Sequence, residues 1–429
     1  MVTQLEARPT ATRRIHWAWW VAGVSFIALL GAAGFRSAPS VLIEPLHHEF
    51  GWSTGTISAA VSVNLVLYGV TAPFAAALME RFGMRKVVAS ALTLVAAGAG
   101  LTVFMTESWE LVLFWGIFVG LGTGSMAMAF VATVTSRWFV KNRGLVSGIL
   151  TAAGATGQLI FLPVVANMAT NLGWRPASLV IAGIALAVVP VVVIFLRDHP
   201  KDVGTNAYGA TEDTPRPPRT KGAAVRALQV LGKSTRSGTF WMLAAGFAIC
   251  GASTNGLVGT HFVPAAHDHG VPTTTAAGLL ALVGIFDVAG TIFSGWLTDR
   301  IDPRWLLGTY YTLRGLSLIL LPNLLEPTVQ PPMWAFIVFY GLDWVATVPP
   351  TVALCRDRFG MSGPIVFGWV FASHQLGAAV AASAAGVIRD TNGSYDLAWY
   401  SAGIMCAVAA LLSVLIRKTP RNTPLTSPA

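Results

Sequence analysis

Twelve apolar runs of about twenty residues or more leave this chain a single environment in which to fold. They occupy residues 17–43, 55–79, 87–106, 109–136, 144–171, 175–197, 238–264, 273–298, 304–324, 332–355, 363–388 and 395–416, numbered below as spans 1 to 12. At 1.5 Å per residue, a helix of about 20 residues crosses roughly 30 Å of hydrocarbon. The 429 residues are 54% hydrophobic and only 11% charged, whereas a soluble globule carries about 25% charged residues. The chain is therefore predicted to be an all-α integral membrane protein with twelve transmembrane helices.

A formal charge of +9 would suit a nucleic-acid binder, so the positions of the basic residues decide its meaning. Of 28 Lys and Arg, 24 lie in the two tails and in the segments joining spans 2 to 3, 4 to 5, 6 to 7, 8 to 9 and 10 to 11. These all fall on one side. Arg175 and Arg389 are alone on the other, and Arg36 and Arg314 lie within spans. The positive-inside rule makes the basic side cytoplasmic, with both termini there, in a multi-pass protein of the cell's inner (plasma) membrane. The charge then answers to topology and anionic lipid, with no nucleic-acid partner. Arg13-Arg14 before the first span resembles an export signal, but the run is too long and eleven more follow.

The chain is also written twice. Ala76 to Val88 and Gly295 to Leu307 are two copies of one loop, 219 residues apart: an apolar run ends on an acid beside an arginine, a turn follows, and more basic charge precedes the next run. At that offset Pro45 falls on Pro264, His48 on His267 and Gly51 on Gly270. A period near half the length predicts two pseudo-symmetric six-helix bundles enclosing a site. Residues 1–197 form the first half, 198–236 a hydrophilic linker with Pro215, Pro217 and Pro218, and 237–429 the second half. Ala223 to Leu231 is expected to lie as an amphipathic helix on the membrane surface.

Charge inside a span defaults to function. Arg36 in span 1, before Pro39 and Pro45, can hold a carboxylate through two parallel hydrogen bonds. Its counterpart in the repeat is the neutral Asn255. Asp287 in span 8 and Asp343 in span 10 are candidate proton carriers, with His374 in span 11, the histidine read as deep in a span, a lesser one. Arg314 in span 9 suits a structural pair with Asp287 or Asp343 as well as substrate contact. Asn64 and Tyr68, one turn apart in span 2, with Gln158, Tyr340 and Gln375, could orient a substrate or cross-link helices. Gly116, Gly120 and Gly124 in span 4 form a flat rib for packing. Pro349-Pro350 should bend span 10 below Asp343. Cys250, Cys355 and Cys406 lack metal-ligand spacing and read as small apolar fillers.

Two halves of six helices with the acid-Arg turn repeated resemble the major facilitator superfamily, whose G-x-L-x-D-R-x-G-R-[RK] pattern is departed from at Ala76, Glu80, Met84, Asp302 and Pro303. Phe35-Arg36-Ser37, Leu67-Tyr68-Gly69, Arg137-Trp138-Phe139 through Arg143-Gly144-Leu145-Val146-Ser147-Gly148, and Asp287 are similar to the monocarboxylate transporter family and its bacterial relatives. That resemblance implies the major facilitator fold and a secondary transporter of a small organic anion, a monocarboxylate, moving with protons and working as a monomer without cofactor or metal. Two departures stand out: Thr291 where the animal lactate carriers place an arginine one turn after the aspartate, and Arg36 where they carry a lysine. Glu80, Arg81, Arg85, Asp299, Arg300 and Arg304 are expected to serve the conformational cycle as a cytoplasmic gate. An exporter of drugs or amphipathic compounds and a non-transporting sensor are the alternatives. An enzyme would need a nucleophile-base or metal constellation that the spans do not supply.

Overall fold

In hydrocarbon every backbone N–H and C=O must find its partner within its own segment, and the helix does this at every residue. A computed structural model describes residues 15–126, 128–212, 222–298 and 300–417, almost wholly helical. The two tails, Asp299 and the Pro215–Pro218 stretch lie outside the described residues, as do the side chains of Arg36 and Gln158. Among the described residues, eleven helices are long and apolar enough to cross a membrane unaided. The twelfth is span 9, Pro303–Leu320, which carries Arg304 and Arg314 and extends through the short turn Leu321–Leu324.

Spans 2, 3, 5 and 6 are the unbroken helices Thr54–Phe82, Met84–Thr102, Arg143–Asn171 and Trp174–Phe195. Spans 8, 11 and 12 are Thr273–Thr298, Gly363–Asn392 and Asp396–Leu415. Spans 1, 4, 7 and 10 are interrupted. Span 1, expected as one long helix, divides into Trp17–Ser37 and Pro39–Phe50, because Pro39 brings no N–H to continue the first helix's ladder. Span 4 widens into a π-helix over Val112–Val119, and its helix Gly120–Ser125 ends at Met126, with Met128–Trp138 a separate helix. Span 7 passes from Gly238–Gly251 through the π-helix Ala252–Val258 into Gly259–Asp268.

Span 10 stops at Asp343 and restarts at Val348. The expected bend at Pro349-Pro350 is thus a break a few residues earlier, over Trp344–Thr347. Pro349 sits instead in the first turn of the new helix, where a missing N–H costs nothing. The 219-residue offset carries Ser37 onto Gly256 and Met126 onto Val345. The interruptions therefore obey the same duplication as the loops.

Glycine sets how closely the helices approach. A side chain at Gly116, Gly120 or Gly124 would press into span 2 at Ala60 and Val63, Asn64, and Tyr68 respectively. In the second half, Gly251 and Gly256 lie on the backbone of His374 and Ala378, and Gly377 on that of Ala248, so spans 7 and 11 touch backbone to backbone.

The buried apolar side chains form three clusters with an informative distribution. One joins both halves on the side away from the basic loops, combining Leu42, Leu46 and Trp174 with Phe262, Val263 and Tyr395. On the basic side there are two separate clusters. One belongs to the first half around Met84, Phe130, Trp138 and Val192, the other to the second half around Phe240, Leu354 and Val366. The halves are thus welded by one core on one side and capped by individual cores on the other.

The described parts of the linker pack against the halves. The Asp198 carboxylate accepts from the Arg85 N–H at 2.8 Å, and Tyr208 pairs through its backbone with Trp138, Val140 and Lys141. The amphipathic segment, expected on the membrane surface, is the helix Ala223–Ser234 and lies beneath spans 2 and 11. Trp369 Nε1 donates to the Ala227 carbonyl at 3.0 Å, and Ala227 and Val230 are buried while Val225 and Leu228 face out. Protein therefore covers part of the apolar stripe, and Val225 and Leu228 remain on its outer face.

Candidate functional site

The halves meet along spans 2 and 11, along spans 5 and 8, and where the second piece of span 1 faces that of span 7. Asp390 at the end of span 11 accepts from the Thr54 and Gly55 N–H groups at 3.1 and 2.7 Å, so a carboxylate closes the N-terminus of span 2, where the unpaired amides favour an anion. Deeper along the same seam, Ser62 Oγ lies 2.7 Å from Ser383 Oγ and donates to the Ala379 carbonyl at 2.6 Å. Tyr68 then meets the edge of Phe371, and Phe74 that of Trp369.

The densest polar assembly surrounds the break in span 10. Arg314 is 1% exposed. Its Nε donates to Asp343 Oδ2 at 2.6 Å and its Nη2 to the Asp343 carbonyl at 2.6 Å, while its Nη1 reaches Cys250 Sγ at 2.9 Å. Of the two partners open in sequence, the guanidinium takes Asp343. Asp343 Oδ1 is buried without a hydrogen bond. Asp287 turns to the break itself: its Oδ1 accepts from the freed Val345 N–H at 3.1 Å and from Thr291 Oγ1 at 3.0 Å. Ser294 Oγ donates to the Ala346 carbonyl at 2.5 Å, and Tyr340 Oη to the Ser253 carbonyl at 2.8 Å. The backbone groups released by the two interrupted spans are thus met by side chains at mid-depth, as a non-helical stretch in a membrane requires.

Other predicted residues are more dispersed. Arg36 lies one residue before the end of the first helix of span 1, and Asn255 lies half-buried within the π-helix of span 7. Gly157 packs on Leu30 and Ala33, which brings the backbone of Gln158 to span 1. Asn64 Nδ2 donates to the Trp115 carbonyl at 2.9 Å and so ties span 2 to the π-helix of span 4. Gln375 is 1% exposed beside Gly69, and neither of its amide atoms has a hydrogen bond among the described residues. His374 stacks on Phe371 and lies against Phe247.

The turn residues stay within their own halves. Arg81 lies over Phe82, and Glu80 is exposed. Arg300 covers the Trp296 ring and donates to its carbonyl at 3.0 Å. Arg304 pairs with Asp302 at 2.7 Å and donates to the Ile416 carbonyl at 2.8 Å. Among the described residues, none of the ion pairs and hydrogen bonds of these turns joins one half to the other.

His374 is not the sole histidine deep in a span. His261 is fully buried, with Nε2 2.8 Å from the Ala382 carbonyl and Nδ1 3.3 Å from Tyr395 Oη. It was legible as a polar residue within 238–264, but its place near the end of that run disguised its depth. Ser62, Ser383, Ser253 and Cys250 gave less signal, since small hydroxyls and thiols are ordinary filler in a span. Among the described residues no cluster of three or more His, Cys, Asp or Glu could hold a metal ion.

Comparison with known proteins agrees with this architecture. The family model of the Major Facilitator Superfamily matches residues 24–363 and 250–429. An uncharacterized MFS-type transporter of Bacillus subtilis, YcxA, is 25% identical over 94% of this chain and 95% of its own. Monocarboxylate transporter 11 of Homo sapiens is 25% identical over 99% of this chain and 88% of its own. Among solved structures, an inward-facing, unoccupied bacterial homolog of the human lysosomal transporter Spinster superposes with a TM-score of 0.74 at 15% identity, covering 93% of this chain and 96% of that one. A D-xylose-proton symporter gives 0.72 at 15% identity over 92% and 97%. Those two likenesses concern the fold alone. With family-model matches across nearly the whole chain, and two six-helix bundles whose four broken helices obey the duplication, this multi-pass membrane protein belongs to the major facilitator superfamily.

Proposed function

We propose that the protein is a secondary transporter that moves a small organic anion, a monocarboxylate, together with a proton, by rocking its two halves about a site at mid-depth. The observation that carries this reading is the coincidence of the interruptions in spans 1, 7 and 10 with polar and charged residues. Arg36 stands at the break of span 1, Asn255 in that of span 7, and Asp343 and Asp287 at that of span 10. Interrupted helices at mid-depth are the sites where transporters expose backbone and charge to cargo. The end-to-end similarity to proteins named monocarboxylate transporters supports the substrate class.

In this reading Arg36 is the fixed cation for the carboxylate, since a guanidinium stays charged throughout the cycle. Asp343 is engaged by Arg314, whereas Asp287 holds only a hydroxyl and one backbone amide. Asp287 is therefore the better proton carrier of the two. The tails lie in the cytoplasm of a plasma-membrane protein, and the conformation described here, with its single joint core on the far side, is the inward-facing one.

Counterflow in proteoliposomes with short monocarboxylates, aromatic acids, dicarboxylates and a cationic dye, at two pH values, tests the proposal. Exchange of monocarboxylates, faster at the lower pH, is expected. Movement of the dye without any acid would replace this reading with that of an amphiphile exporter, and binding without flux would make the protein a sensor.

A further inference from the structure

Away from the seam, the second half carries a groove of about 510 Å³ walled by spans 8, 9 and 10 and by the turn after span 9. Its walls include Phe293, Leu316, Leu320, Ala335 and Phe339, all of them exposed. No residue of the first half lines it. It therefore opens sideways onto hydrocarbon, apart from the path between the halves. One end lies at Leu324 and Pro332, where spans 9 and 10 finish on the side opposite the basic loops. The other end is floored by Arg314 and Asp343. Counted along the helix from Pro332 to Asp343 at 1.5 Å per residue, the groove is roughly 16 Å long. That is about half of the roughly 30 Å hydrocarbon core, the depth of a single leaflet.

Water has few partners in such a space, and an unfilled groove would forfeit the dispersion contacts of its walls. A linear hydrocarbon chain meets both conditions. The mouth adds a second selection: residues 321–331 contain Glu326 and no Lys or Arg, so an anionic headgroup would meet repulsion there.

We propose that this groove binds one acyl chain of a zwitterionic phospholipid from the leaflet opposite the basic loops. The inner end of the chain rests against Leu342, at the end of the first piece of span 10, and Ala346, within the unwound turn, so the lipid braces the segment that separates the two pieces of that span. The proposal does not depend on the identity of the transported solute.

The test uses the full-length protein in phosphatidylcholine nanodiscs doped with a phosphatidylcholine that carries a diazirine at the end of one acyl chain. After irradiation and proteolysis, mass spectrometry should find label concentrated at Phe293, Phe339 and Leu342, well above that at Leu186 and Ile404, which are also exposed apolar residues. Ala335→Trp and Ser317→Phe fill the groove from different walls, and each is expected to remove most of the groove label while leaving the Leu186 and Ile404 label unchanged. Two variants are used so that one remains informative should the other fail to yield monodisperse protein. Even labelling over the whole surface, or groove label that survives both substitutions, would overturn the site. Equal labelling by a phosphatidylglycerol bearing the same diazirine would overturn the headgroup preference.

Discussion

Arg314 and Asp343 illustrate what a charge inside a membrane protein demands. Two ions leave water at a cost of several kcal/mol each, and only their mutual attraction and well-placed hydrogen bonds offset it. Removing one partner is therefore worse than removing both. Asp343→Asn is expected to destabilise the folded protein by about 3–5 kcal/mol, because the guanidinium stays charged and buried, whereas Arg314→Gln combined with Asp343→Asn should lose less than either single change. Thermal unfolding in detergent measures all three, and a double variant weaker than both singles would refute the pairing. Arg36 answers to a different measurement. A hydrogen bond to a charged group nets about 1.5–3 kcal/mol, so Arg36→Gln should weaken binding of the acid by roughly ten- to a hundredfold, and Arg36→Lys by less. Substrate affinity by counterflow, with a stability check on each variant, decides whether the cation belongs to the site or to the scaffold. At this scale the sequence displays its charges clearly, since each stands out in an apolar run. Their partners are obscure, because a few tens of degrees of helix rotation decide whether Arg314 meets Asp287 or Asp343.

The broken helix is the next unit of behaviour. Asp287 receives the Val345 amide on a single oxygen, and asparagine retains a carbonyl oxygen that can do the same. Asp287→Asn is therefore expected to keep the break of span 10 and near-parental stability while losing pH-driven accumulation, with solute exchange preserved. Accumulation that survives in both Asp287→Asn and Asp343→Asn would show that neither acid couples the proton. Proline marks breaks without fixing them: Pro39 stands at the break of a span expected as one long helix, and the bend expected at Pro349-Pro350 falls a few residues earlier. The π-helix of span 7 has no such marker: Ala252 to Val258 could continue an α-helix, and the widened turn lies where span 7 meets the backbone of span 11 at Gly251 and Gly256. The linker helix raises a related point. Amphipathic periodicity states that an apolar face exists, not whether lipid or protein covers it.

For the molecule as a whole, the apolar runs and the duplication made the architecture legible, since both are properties of the chain read end to end. The conformation was not legible, because two arrangements of the same halves would use the same helices. The joint core on one side and the divided cores on the other identify the described state, and Ser62 with Ser383 lies on its closed seam. Ser62→Cys with Ser383→Cys should form a disulfide that arrests transport until it is reduced, the native cysteines all being buried. Full transport by the oxidised protein would show that this seam need not open. The buried ion pair has one further consequence, which is electrical. A unit charge crossing the whole membrane exchanges about 2.3 kcal/mol with each 100 mV of potential, but a guanidinium and a carboxylate carried together in one rigid half displace no net charge. Asp343→Asn would separate them and leave a lone cation to swing through part of the field, so its transport rate should acquire a voltage dependence that the Arg314–Asp343 pair cancels in the parent.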